Sequence, residues 1–154
     1  GWSDKYPAVS TRRDTALVDR LSGYASAVEV GVGRRPDVAA GLAAAGVSVA
    51  ATDVVDRDLP EGVTFVRDDV VAASRRSDPG DAYDAGAVYG LNLPPELHRP
   101  TCAVARAVGA DFLFTTLGGD PAAVPCTAEP LPGGPTVYVD RADERDGGGR
   151  RATR

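Results

Sequence analysis

Val28-Glu29-Val30-Gly31-Val32-Gly33-Arg34-Arg35-Pro36 is the stretch that decides the fold. Val28 to Val32 reads as a short strand without regular polar alternation, the pattern of a strand covered on both faces. Gly31 and Gly33 make a tight turn after it. Pro36 suits the first turn of a helix, where a missing N–H leaves no partner unmet. Val38, Leu42 and Ala45 give that helix an apolar stripe, and Gly46 is placed to end it. Val47 to Val54 is then a second strand, carrying Asp53 twenty residues beyond Gly33.

The same rhythm extends in both directions. Thr11-Arg12-Arg13-Asp14 has the form of a capping box, with Asp14 at the third helical position. Leu17, Leu21 and Tyr24 recur at helical spacing, so a helix is expected over about 12–26. Residues 1–9 read as a loose lead-in. Val63 to Val66 is a third strand running into Arg67-Asp68-Asp69. Residues 71–84 hold Ser, Arg, Asp, Pro and Gly, and predict a loop or one short helix. Ala87 to Leu93 is a fourth strand, closed by Pro94-Pro95. A helix follows to Val108, and Asp111 to Leu117 is a fifth strand. Residues 121–135 are rich in Pro and Gly and predict a loop with at most one brief strand. A sixth strand is expected over 136–140, and a charged, glycine-rich, disordered tail from 143 to 154. Strands alternating with helices imply a parallel sheet with right-handed crossovers. The expectation is one minimal Rossmann-like α/β domain over 10–142, strand order 3-2-1-4-5, helices on both faces. It would lack the additional antiparallel pair of larger relatives.

Composition narrows the classes. The chain has 154 residues and a net charge of −5. Asp outnumbers Glu seventeen to five, and Lys5 is the single lysine against sixteen arginines. Such a surface stays hydrated where concentrated salt screens charge within ~3 Å. A salt-loving archaeal source is expected, with a GC-rich genome as the alternative cause. An acidic balance argues against a general nucleic-acid binder, since phosphate contacts need a basic face. No run approaches the ~18 apolar residues of a membrane span, and no secretory signal opens the chain. Cys102 and Cys126 stand alone, outside any zinc-ligand spacing, and suit the reducing cytoplasm. GxSxG, phosphate-loop and HExxH motifs are absent.

In a sheet of this kind ligands sit outside the carboxyl ends of the central strands. The Gly31–Gly33 turn, Asp53, Asp68-Asp69 and Asn92 all arrive there. Glycine lets a ligand approach backbone without a Cβ in the way. Asp53 can accept both hydroxyls of a ribose and would repel a 2′-phosphate. Asp68 or Asp69 can accept from an adenine amino group. A nucleoside ligand is therefore expected. The NAD fingerprint wants a glycine three residues after Gly33, where Pro36 stands, so an NAD-linked oxidoreductase is the weaker alternative.

Glu29-Val30-Gly31-Val32-Gly33, with Asp53 and Asp69 or Asp68 at the next two strand ends, resembles the S-adenosylmethionine-dependent methyltransferase superfamily over residues 28–118. That resemblance implies S-adenosylmethionine as cofactor, with Glu29 orienting the methionine amine. Arg35 replaces the superfamily's usual third glycine, and either clamps a carboxylate or fills the site. More closely, VGVGRRPDVA, the Thr52-Asp53 strand end and Pro94-Pro95-Glu96 resemble a small uncharacterised protein family of haloarchaea and methanogens. Amino-methyltransferases carry an Asn/Asp/Ser-Pro-Pro-aromatic motif after the fourth strand. Asn92-Leu93-Pro94-Pro95-Glu96-Leu97-His98 matches it in part, with Leu93 inserted and Glu96 in place of the aromatic. Asn92, Glu96 and His98 are thus the catalytic candidates, His98 doubling as a helix-surface or capping residue. The chain leaves little length for a substrate lid. That favours a completing partner, another copy or a second protein, or a nucleotide-binding module without turnover.

Overall fold

The computed structural model describes residues 11–145. Helix α1 (Arg12–Leu21) starts where Thr11 Oγ1 accepts the backbone N–H of Asp14 at 2.9 Å. It ends earlier than its periodicity predicts, since Ser22 already closes it and β1 (Ser26–Val30) begins within four residues. The remaining elements are α2 (Asp37–Ala44), β2 (Ser48–Asp53), β3 (Val63–Arg67), α3 (Val70–Arg75), β4 (Ala87–Gly90), α4 (Pro95–Val108), β5 (Asp111–Phe114), β6 (Thr127–Pro130) and β7 (Thr136–Asp140). Gly109 ends α4 in the left-handed conformation, at φ 74°.

These strands form one sheet in the order β3-β2-β1-β4-β5-β7-β6. The first five are parallel, and β7 runs antiparallel to both β5 and β6. The predicted 3-2-1-4-5 order is therefore present. The expectation that the chain lacks an antiparallel pair is corrected: β7 and β6 supply it. Strand β6 is the one brief strand that the sequence allowed within 121–135; its exact place was not legible, because it is a mostly exposed edge strand without an apolar alternation to mark it. Between β3 and β4 the chain makes one short helix, α3, and a single 3₁₀ turn at Asp81–Tyr83.

Alternation along β1 sorts the core into two layers. Ala27 packs with Leu17, Leu21, Leu42 and Val49 beneath α1 and α2. Val28 and Val30 pack with Cys102, Val104, Phe112 and Phe114 beneath α4. Burying each of these large side chains stabilises the fold by about 1.5–3 kcal/mol. Glu29 shares the parity of Ala27, so a carboxyl enters the layer under α1 and α2. Across the β1–β4 ladder its direct neighbour is Tyr89.

At the far end, Asp140 anchors the last turn. It accepts from Arg106 Nε at 3.1 Å, Arg145 Nε at 3.3 Å and Cys102 Sγ at 3.3 Å. A 3₁₀ turn at Ala142–Glu144 follows. The predicted lead-in over 1–9 and the tail beyond 145 lie outside the described residues. Among the described residues no helix is long and apolar enough to cross a membrane.

Candidate functional site

The carboxyl end of β1 opens into a cavity of about 280 Å³. Its walls come from the first turn of α1 (Thr11, Arg13, Asp14), from the glycine turn (Gly31, Val32, Arg35), from the start of α2 (Asp37, Val38) and from Leu91 and Asn92 after β4. Glu29 is also part of the lining, though only 2% exposed. Gly31 and Gly33 have φ of 71° and 62°, a conformation that L side chains rarely adopt. A Cβ on Gly31 would meet nothing within 4 Å, so the turn leaves open space on that side.

Glu29 is the unusual group. Tyr89 Oη donates to its Oε1 at 2.8 Å. Burial pushes the Glu29 carboxyl up to about 8, against a smaller downward pull from the tyrosine hydroxyl; the charges of Asp14, Asp37 and Asp53 add to the rise. At neutral pH it is therefore mostly protonated. Asp14 Oδ2 is buried and has no hydrogen-bond partner among the described residues.

Asp53 meets the glycine turn directly. Its Oδ2 accepts from Gly33 N at 2.8 Å and from Arg57 Nε at 3.3 Å, and its Oδ1 accepts from Val55 N at 3.2 Å. Burial alone would raise the Asp53 carboxyl, but the two backbone donors and Arg57 outweigh it and hold it below the usual range. A carboxylate offers about four lone-pair positions. Three are in use, so one further donor can be accepted while Arg57 stays. A second cavity, of about 220 Å³, adjoins Gly33 and is lined by Arg34, Pro36, Arg57 and Leu59 among others.

The other sequence candidates divide. Asn92 does reach the first cavity, in the left-handed conformation at φ 48°, and accepts from Arg13 Nη2 at 3.2 Å. Its backbone N–H donates to Thr115 Oγ1 at 2.8 Å. Arg35 does not fill the turn; it is 74% exposed and pairs with Asp37 at 3.3 Å. Asp68 is taken by Arg76 and Tyr83, each at 2.7 Å. Asp69 caps α3 through the N–H of Val71 at 2.9 Å. Neither acid lines the first cavity. Glu96 lies exposed on the first turn of α4. His98 is fully buried against Phe114, with ring centroids 4.5 Å apart. The N–H of Ala123 donates to its Nδ1 at 3.1 Å, so Nε2 carries the hydrogen and donates to Leu93 O at 2.9 Å. Both ring nitrogens being occupied, His98 is a strut between loops and not a base facing the cavity.

Sequence reading missed Asp14, Tyr89 and Arg57 as parts of this site. Asp14 carried a signal as a capping residue only. Tyr89 could be found from the parallel register with Glu29, and Arg57 from its i+4 spacing to Asp53.

The fold is that of the methyltransferase-type Rossmann-like proteins. A Burkholderia thailandensis 1,6-didemethyltoxoflavin-N1-methyltransferase, solved with 1,6-didemethyltoxoflavin and S-adenosylhomocysteine, superposes with a TM-score of 0.50 at 21% identity, over 91% of this chain. The glycopeptide N-methyltransferase MtfA, complexed with S-adenosylhomocysteine, gives 0.50 at 18% identity, over 87% of this chain. This chain spans only 63% and 65% of those two proteins. In sequence it is 47% identical to UPF0146 protein OE_4661R of Halobacterium salinarum, over 79% of this chain and 91% of that protein. A UPF0146 protein of Archaeoglobus fulgidus is 46% identical, over 60% of this chain and 68% of its own length. The profile of the Uncharacterised protein family (UPF0146) matches residues 14–140, and the chain belongs to that family.

Proposed function

We propose that this protein binds S-adenosylmethionine at the carboxyl edge of β1 and β2. The amino-acid end takes the cavity over Glu29, and the adenosyl end passes Gly33 toward Asp53. The observation that carries this reading is the joint placement of turn and acid: one hydrogen bond of 2.8 Å joins Gly33 N to Asp53, beside an open cavity floored by Glu29. Both signs of charge suit an amino acid. Asp14, Glu29 and Asp37 face its ammonium, and Arg13 and Arg35 on the rim face its carboxylate. Asp53 has one lone-pair position left for a ribose hydroxyl, and a second opens if Arg57 swings away. S-adenosylmethionine would supply an electrophilic methyl group, and Asn92, on the cavity wall, stands on the acceptor side. In this reading the protein is a small methyltransferase working in the cytoplasm, where that cofactor is made and used.

A second reading, a nucleoside-binding module without turnover, is favoured by the acceptor-side residues. His98 is tied at both nitrogens and Glu96 lies away from the cavity, so neither offers a base there. The same shortage suits a site completed by another copy of the chain or by a second protein.

Calorimetry in molar KCl with S-adenosylmethionine, S-adenosylhomocysteine, NAD and ATP tests both. Binding of S-adenosylhomocysteine that Asp53→Ala abolishes supports the first reading. Saturable binding of ATP alone supports the second. Failure of all four ligands to bind overturns both.

A further inference from the structure

Exposed apolar side chains are ordinary when scattered, but in this fold they are gathered. Among the described residues the large ones are Val54, Val55, Val66 and Leu117, exposed by 57%, 51%, 36% and 65%. All four stand at the carboxyl edge of the sheet. Val54 and Val55 follow β2 directly, Val66 is the last residue but one of β3, and Leu117 comes three residues after β5. Arg67 Nε donates to Val54 O at 3.1 Å, which ties the ends of β2 and β3 into one patch. The opposite, amino edge carries no such residue among those described.

These positions fit a copy of themselves. In the order β3-β2-β1-β4-β5 the valines and the leucine flank the β1–β4 pair, one group on each side. Strands β2 and β5 are three strand spacings apart, roughly 14 Å. A half-turn about an axis normal to the sheet, at the rim midway between β1 and β4, sets the rim against its own copy and reverses the strand order. The end of β2 in each copy then meets the end of β5 in the other. Such a contact is isologous, with the same two spots serving both sides. Charge agrees with it. Arg67 reaches Asp56 only at 3.9 Å, with the two side chains 65% and 80% exposed, so Arg67 is able to turn to a new acid. Asp120 lies exposed three residues beyond Leu117 and has no ion-pair partner among the described residues. The half-turn carries Arg67 of one copy toward Asp120 of the other.

We propose that the carboxyl rim is the interface of a two-fold dimer of this chain, in which Val54 and Val55 of each copy pack on Leu117 of the other. Apolar contact of this kind persists in molar salt, where charge attraction is cut off beyond about 3 Å. The first cavity lies at the end of β1, next to the axis, so each copy roofs the cavity of the other. A different protein seated on this rim would need neither the matched spacing nor both signs of charge.

Sedimentation velocity of the whole chain in molar KCl, without ligand, tests this, so the result does not depend on the cofactor reading. The parent is expected to sediment at twice the chain mass. Leu117→Asp and Val55→Asp are each expected to raise the dimer dissociation constant about tenfold or more. Both side chains are exposed, so circular dichroism should show the fold intact. Arg67→Asp and Asp120→Arg should each weaken the dimer when alone. An equal mixture of those two variants should restore it, because both cross-copy contacts then pair an arginine with an aspartate. A parent that stays monomeric up to millimolar protein overturns the proposal and leaves the rim to a different protein. So does a dimer that either Leu117→Asp or Val55→Asp leaves intact. A mixture no more dimeric than its components overturns the assigned two-fold.

Discussion

Two carboxyls on adjacent strands have opposite fates. Asp53 sits among donors and is held ionised, whereas Glu29, one strand over, is buried beside other acids and stays protonated. The sign of the stability effect follows. An acid whose folded value lies above its unfolded one favours folding below the unfolded value, and that advantage is lost as pH rises through the folded value. Between pH 4.5 and 8 Glu29 should therefore lower stability by up to about 1.4 kcal/mol per pH unit. Glu29→Gln, which mimics the protonated form, should match the parent near pH 5 and exceed it at pH 9. Urea titrations at those two pH values check this, and identical curves at pH 9 would contradict it. Arg57 offers a second experiment. It occupies an acceptor position on Asp53 that a ribose hydroxyl would use, so Arg57→Ala should tighten adenosine-containing ligands several-fold by calorimetry. Weaker binding would mean that Arg57 contacts the ligand favourably.

Elements were legible in proportion to their burial. Strands β1 and β4 are covered on both faces and stood out as apolar runs; β6 is an edge, legible only as room for one brief strand within 121–135. Helix ends were readable where chemistry marks them, as at Thr11 and Gly109. The site was legible in its backbone parts, since glycines and strand-end acids follow from topology. The roles of Asp14, Tyr89 and His98 were not, because they depend on which elements lie across from them. The β6–β7 hairpin illustrates this. Gly134 packs so closely on Ala16 of α1 that a Cβ there would collide with the alanine side chain. Gly134→Ala should cost about 1–3 kcal/mol through overpacking, read as a lower thermal midpoint, while Gly119→Ala, which meets open space, should be nearly silent. His98→Ala removes two hydrogen bonds and leaves a cavity beside Phe114. It should destabilise by about 2–4 kcal/mol without a selective loss of ligand affinity in the fraction that folds.

At the scale of the molecule, acidity and salt shape the response to pH. Asp53 and Asp68 are held low against the opposing effect of their burial, by backbone and side-chain donors. Glu129 is lowered first by its hydrogen bond from Arg20. For these three the sign is reversed: their contribution is present above the ordinary carboxylate range and is lost as pH falls through the lowered values. With Glu29 acting from the other side, the thermal midpoint should peak near pH 5 and decline in both directions. A midpoint that climbs steadily from pH 5 to 8 would contradict the buried, protonated Glu29.

The two borders of the sheet carry a consequence for the protein in bulk. Pro60 stands three residues before β3, and Arg67 with Asp68 closes it; Pro130 ends β6, whose Glu129 is gripped by Arg20 and Arg141. Proline withholds a backbone donor and fixed charge repels a matching strand. A crowded solution of this protein should accordingly thicken without seeding fibrils, even where dissolved ions have muted the repulsion between molecules.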